Sequence, residues 1–322
     1  MNKKTLIGVI IATVVIVVGG IIGTSKTAKN PVITSTTPLD KNAYCGSDGK
    51  LTATQSIQSH RSYCEVMTSN QQSYQANIPS IYSFKIIDDQ GNVVKDFDTV
   101  HEKLMHFIVV REDLANFQHV HPEFNATTGE LTLSNLNFPS DGPYRLFADF
   151  TPRASQMGPD AMKLAVTASH DLQVGNSANY KPQMIGETTN SKTFEGYQFT
   201  LTSNPAKLAT GSENILTFDI TQDGKVIKDL EKYLGALGHS VILSEGELQF
   251  IHAHPIEDPV KSQSGKVNFA VDFPEAGTYK VFTQFQRNGK IITTDFTVTV
   301  VEGPAASAPQ SRSTTHGGII TH

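Results

Sequence analysis

The feature that most limits what this chain can become is an internal repeat. Thr68-Ser69-Asn70 returns as Thr202-Ser203-Asn204, and Phe84-Lys85-Ile86-Ile87 as Phe218-Asp219-Ile220-Thr221. Phe138-Pro139 returns as Phe273-Pro274, each ahead of a glycine turn and a strand, Tyr144-Arg145-Leu146-Phe147 or Tyr279-Lys280-Val281-Phe282. The offset stays between 133 and 135 residues throughout. A sequence that repeats at a constant period specifies one structural unit twice. Whatever the fold, it must close in about 110 residues, a size at which one hydrophobic core suffices.

Each copy holds about seven short runs with period-two alternation, separated by turn residues such as Asp89-Gln90-Gly91 and Gln222-Asp223-Gly224. Alternation of this kind, rich in Val, Ile, Phe, Tyr and Thr, is the pattern of half-buried strands. The expected fold class is all-β: two tandem immunoglobulin-like antiparallel β-sandwich domains, near 60–175 and 194–301, joined by a linker over 176–193. Apart from the N-terminus, no helical periodicity extends beyond two turns. The net charge is −5, with 26 Lys+Arg against 31 Asp+Glu and no long basic run, which argues against a nucleic-acid partner.

Both copies carry the same histidines. His106 lies in the apolar run Leu104-Met105-His106-Phe107-Ile108-Val109-Val110, and Phe117-Gln118-His119-Val120-His121-Pro122 follows. The second copy reads Leu237-Gly238-His239-Ser240-Val241-Ile242-Leu243, then Phe250-Ile251-His252-Ala253-His254-Pro255. In both, 13 positions separate the lone His from the first His of H-x-H-P. Residues i and i+2 of a strand share a face, so His119 projects with His121, and His252 with His254. A two-residue hairpin turn centred on Glu245-Gly246 would set His239 directly opposite His252, and the same register would set His106 opposite His119. Three imidazoles then converge from adjacent strands. Such a set, with ligand distances of about 2.0–2.1 Å and an open fourth position, suits copper, zinc or nickel. The expectation is a copper or zinc ion at His106, His119 and His121 and another at His239, His252 and His254, up to two per chain. The flanks have diverged between copies while the histidines and their spacing have not.

Other candidates weigh less. Met105, next to His106, should face the core. Met157 and Met162 read as gap-filling loop residues, although a thioether would favour copper. His101 and His170 have no counterpart in the second copy and read as surface residues. Glu123 and Glu257 follow the H-x-H-P motifs and are candidate acceptors for the ligands' outer nitrogens. His316 and His322 fall in a low-complexity tail, 302–322.

The first 23 residues differ in kind. Lys3 and Lys4 precede an apolar or small run of 18 residues, Leu6 to Gly23, with no small-x-small cleavage signal. This reads as an uncleaved membrane anchor with its N-terminus inside and the remainder extracytoplasmic. A polar tether over 24–59 follows. The chain's two cysteines, Cys45 and Cys64, read in an exported protein as a disulfide that would stabilise by about 3 kcal/mol; a two-thiolate metal site is the alternative.

The block from about 63 to 301, with H…H-x-H-P in each half, resembles exported bacterial β-sandwich proteins close to YtkA-like and FixH-like domains. That resemblance implies an immunoglobulin-like fold, an extracytoplasmic location and an association with copper or other heavy metals, carried by His106, His119, His121, His239, His252 and His254. The leading function is metal buffering, resistance or transfer at the membrane, with a metal-donor or metal-acceptor protein as partner. A zinc hydrolase or hydratase using the open three-histidine site is an alternative, although no general base recurs in both copies. An adhesive or scaffolding sandwich with structural histidines is the other.

Overall fold

The structure, a computed structural model, describes residues 42–44, 63–69, 71, 73–88, 90–153, 165–256 and 264–303. The expected anchor, Cys45, Met157, Met162, Glu257, His316 and His322 lie outside the described residues, as do the side chains of His252 and His254. Among the described residues no helix is long and apolar enough to cross a membrane. The one helical element among them is a 3-10 turn, Ser177–Asn179.

The protein is all-β and built from two repeated domains. The first repeat runs through β1 (Asn42–Tyr44), β2 (Tyr63–Met67), β3 (Ser80–Asp88), β4 (Phe97–Asp98), β5 (Met105–Arg111), β6 (Gln118–Val120), β7 (Glu123–Asn125), β8 (Glu130–Leu136), β9 (Gly142–Pro152) and β10 (Val166–Val174). One sheet has the order β1-β10-β9-β5-β6 with β4 on β9, and the other β2-β3-β8-β7. Only the β1 pairing is parallel among the pairings of these strands. Asn42–Tyr44 was expected to belong to the tether; instead it adds an edge strand to β10. The second repeat contributes β11 (Ser191–Phe194), β12 (Tyr197–Asn204), β13 (Asn214–Gln222), β14 (Lys225–Val226), β15 (His239–Ser244), β16 (Phe250–Ile256), β17 (Lys266–Val271), β18 (Gly277–Arg287) and β19 (Lys290–Val300). Its first strand therefore begins inside the expected linker.

Each repeat folds around its own core. In β3 the alternation of Tyr82, Phe84 and Ile86 inward with Ile81, Ser83 and Lys85 outward follows the two-residue period of a strand. Phe218 and Phe269 play the same part in the second repeat. The two central strands break that pattern. β5 is buried along its whole length, and β15 through Leu243. Met105, Phe107 and Val109 enter the first core, which meets the expectation for Met105. Ile108 and Val110 point the other way and meet Val241 and Leu243 of the second repeat.

That second layer of contact joins the repeats face to face. Ile108, Val110, Leu114 and Phe147 pack with Val241, Leu243, Leu248 and Phe282 in one apolar cluster. These are the same four positions in each copy, so the contact has the self-complementary form of a twofold interface. The aromatic pairs reciprocate: Phe117 stacks on Phe282 at 4.1 Å, and Phe147 tilts against Phe250 at 5.4 Å. Burying each large apolar side chain contributes at most about 1.5–3 kcal/mol. The segment between the repeats is tied into the same seam. Gln183 donates its backbone N–H to Asp113, and the Ile185 carbonyl accepts from Lys280 and Thr297.

Candidate metal centre

The histidines lie on the face of the central strands that is turned toward the other repeat. His106 is on β5, on the same side as Ile108 and Val110, and is 4% exposed. His119 is on β6, and His121 follows at the point where the chain leaves one sheet for the other, just before Pro122. Proline cannot donate to a ladder, so it suits the break between β6 and β7.

The expected register is off by two residues. Phe107 pairs with Val120 and Ile108 with His119, so His121, not His119, comes beside His106. In the second repeat Ser240 pairs with Ala253 and Val241 with His252, which brings His254 beside His239. The hairpin loops are longer than the two residues assumed. Ser244 donates its N–H to the Gln249 carbonyl across the loop Glu245–Leu248. Gly246 has the positive φ expected of it, +82°, but Leu248 also turns left-handed at +54°, as Leu114 does at +62° in the first repeat. A left-handed leucine costs about 1–2 kcal/mol. Both leucines recover that by folding into the cluster between the repeats. A shift of two preserves which face each side chain occupies, so in the first repeat the convergence survives the change of register.

His106, His119 and His121 place one ligand atom each within 4.8 Å of one another. The His106 Nδ1 is 3.0 Å from the His119 Nε2 and 3.3 Å from the His121 Nε2. Nitrogens held about 2.0–2.1 Å from a tetrahedral ion lie roughly 3.3–3.4 Å apart, so the triad is already near ligating dimensions. The outer hydrogen bonds assign the ring protons. The His106 Nε2 lies 3.1 Å from the Val100 carbonyl, which can only accept, so Nε2 carries a proton, and in the neutral ring Nδ1 is then the bare nitrogen. The His119 Nδ1 lies 2.7 Å from the Gln284 Oε1. The Gln284 Oε1, whose amide Nε2 lies on Thr293 Oγ1, can only accept, so His119 carries a proton on Nδ1, and in the neutral ring Nε2 is the bare nitrogen. Burial, and then the neighbouring His106 and Lys103, hold His121 down to about 4, so it is uncharged at neutral pH. In their neutral forms the two rings turn bare nitrogens toward each other at 3.0 Å, an arrangement that a cation between them relieves.

Two other imidazoles border the triad. His239 stacks at 5.0 Å on His106 and at 4.9 Å on His119. His101 was expected at the surface; it is half-buried, with its ring 5.9 Å from His106 and 5.4 Å from His239. It sits in a tight turn, Val100 to Lys103, whose two central residues both have positive φ. The matching turn of the second repeat, Tyr233 to Ala236, carries Leu234 at that place. His170 lies apart on β10 opposite Leu146. Glu123, a candidate outer acceptor, is exposed on β7, and the outer nitrogens of His106 and His119 go to Val100 and Gln284 instead. Neither Val100 nor Gln284 carries a sequence signal: one acts through its carbonyl, and the other lies 165 residues from its histidine. Cys64 is buried in β2 and is not a free thiol.

The model of a domain of unknown function, DUF8832, matches residues 61–168 and again 192–302. No curated protein matches the sequence. Among solved structures, a DUF4426 family protein from Pseudomonas aeruginosa PAO1 is 9% identical, with 35% of this chain and 97% of that one covered and a TM-score of 0.27. The Escherichia coli adhesin FdeC is 13% identical over 76% of this chain and 66% of that one, TM-score 0.23. Domains 5–6 of the S-layer protein SbsC are 11% identical over 74% and 97%, TM-score 0.22. Likenesses this distant carry nothing about function.

Proposed function

The chain belongs to the DUF8832 family, whose unit it carries twice, and from that premise we propose that it is an exported, membrane-tethered protein that binds a transition metal through its histidines. The observation that carries this reading is the convergence of three imidazoles, with His106 Nδ1 and His119 Nε2 3.0 Å apart and His121 beside them. Copper is the favoured ion and zinc the next, because an all-imidazole set suits both and the resemblance to YtkA-like and FixH-like domains points to copper. The converging group contains three imidazoles and no carboxylate among the described residues. That supports buffering or transfer of the ion over hydrolysis, which calls for a general base at the bound water. His239, His252 and His254 are the second set by repetition.

The domains are of immunoglobulin-like type. In support, the Tyr144 hydroxyl donates to the Ser140 carbonyl and the Tyr279 hydroxyl to the Glu275 carbonyl, a corner that recurs in that architecture. Leu6 to Gly23 is the membrane anchor, and Cys45 is the disulfide partner of Cys64. Strand β1, which ends one residue before Cys45, pairs with β10 and so brings this part of the chain to the first repeat.

The test is calorimetric titration of the purified full chain with Cu(II) and Zn(II) at neutral pH, together with His121→Ala. Wild type should bind one or two ions, and the variant should lose one or bind it at least 100-fold more weakly. A wild type that binds neither ion, or a variant that binds like wild type, refutes the reading. Recovery of the native protein in the soluble fraction, starting near residue 25, would refute the anchor.

A further inference from the structure

The first repeat's triad is not contained in the first repeat. The His119 Nδ1–H donates at 2.7 Å to Gln284, which lies on β18 of the second repeat. Gln284 is buried, and its amide is held by Thr293 on β19. In register, Gln284 sits opposite His239, as Asp149 sits opposite His106 in the first repeat. The His239 ring, from the second repeat, also stacks on those of His106 and His119. A neutral imidazole has one proton, and the partner of its outer nitrogen decides which inner nitrogen is bare. Without an acceptor at Nδ1, His119 is free to carry its proton on Nε2, the atom that faces His106, and would there block the ion.

We propose that Gln284 is a positioning residue for the metal site: it holds His119 in the ligating tautomer across the interface, so that the site is complete only when the two repeats are docked. This deepens, and rests on, the metal-binding reading above. Affinity for the ion then includes the docking of the repeats, and by linkage the ion strengthens that docking by the same factor. The carboxylate at the equivalent position, Asp149, shows that this place in the sheet accepts an acid as well as an amide.

The experiment uses the full chain with Zn(II) as the probe. Metal-free protein labelled with 15N-histidine reports the His119 tautomer by NMR, and calorimetry reports affinity. Wild type should show the proton on the His119 Nδ1. Gln284→Leu should lose that tautomer and bind zinc about 10–100-fold more weakly, the usual effect of removing an outer partner of a ligand. Gln284→Glu should restore both, because a carboxylate also accepts from Nδ1. Should Gln284→Leu fail to fold, Thr293→Val, which releases the glutamine amide, should shift the tautomer in the same direction. Wild-type tautomer and wild-type affinity in Gln284→Leu, or in Thr293→Val where it stands in, overturn the proposal. A wild-type chain that binds no zinc refutes the metal reading instead, and the tautomer in metal-free spectra still decides whether Gln284 positions His119.

Discussion

The two repeats share a backbone plan, yet they differ at three positions that matter. Where the first repeat buries Glu65, the second buries Phe199; where the first has His101, the second has Leu234; and where the first has Asp149, the second has Gln284. The sheets differ too. In the first repeat β6 and β7 are separate strands in separate sheets, whereas β16 runs unbroken and pairs with both β15 and β17, joining the second repeat into one nine-stranded sheet. The hairpin that bears the histidines keeps its register in both, and each loop holds a left-handed leucine, although one loop closes on Arg111 N–H to the Ala115 carbonyl and the other on Ser244 N–H to the Gln249 carbonyl. Duplication has kept what builds the interface between the copies and let the cores and the surroundings of the histidines drift apart. Two copies of a motif are therefore not two equal sites.

The contrast between Glu65 and Phe199 should give the largest effect. Glu65 is 1% exposed, accepts the Tyr82 hydroxyl at 2.5 Å, and has its other oxygen buried without a hydrogen bond. Burial pushes its carboxyl up to about 8, although the Tyr82 hydroxyl pulls the other way. In the unfolded chain it ionises near the ordinary value of 4.5. Between these two values the unfolded state holds fewer protons than the folded one, so stability falls as pH rises. The contribution is full below about pH 4.5 and is lost by about pH 8. Glu65→Gln should remove this slope and stabilise the first repeat at pH 8.5 by roughly 3–5 kcal/mol relative to wild type, after matching the two at pH 4. Urea unfolding across that range is the measurement, and parallel curves for the two proteins would erase this difference between the repeats.

The cysteines sharpen the same comparison, since they belong to the first repeat alone. Cys64 lies in β2, so breaking the proposed disulfide with Cys45 should cost that repeat about 3 kcal/mol and act on the second only through the shared cluster. Thermal unfolding with and without reductant, read alongside alkylation of Cys45 and Cys64, checks it. Two thiols that alkylate without reduction would remove the disulfide from the account. The smallest effect should be the symmetric one. Leu114→Ala and Leu248→Ala each take a buried side chain from the shared cluster and should cost about 2 kcal/mol apiece, with both repeats affected by either change. If only the mutated repeat loses stability, the repeats do not stand or fall together.

Much of the fold was legible because it rests on local pattern. The period-two alternation of β3 and β13, the constant offset, and the core-facing position of Met105 all follow from a strand's two-residue period. The run Phe107-Ile108-Val109-Val110 carried one more message that alternation obscured. A strand apolar on both faces is covered on both faces, and here the second cover is the other repeat. The hairpin register differs from the expected one because a glycine in a short loop suggests the tightest turn, while the loop is longer and places its leucine in the cluster between the repeats, a surface that local sequence does not specify.

By itself the sequence determined the strands, the duplication and the face on which His106, His119 and His121 gather, since periodicity decides all three without reference to distant residues. Tertiary structure alone decided what surrounds that face. Val100 and His101 reach it through a turn, and His239 and Gln284 reach it from a repeat more than a hundred residues away. The protonation of an imidazole depends on the atom its outer nitrogen meets, and that atom is set by packing between domains rather than by any spacing along the chain.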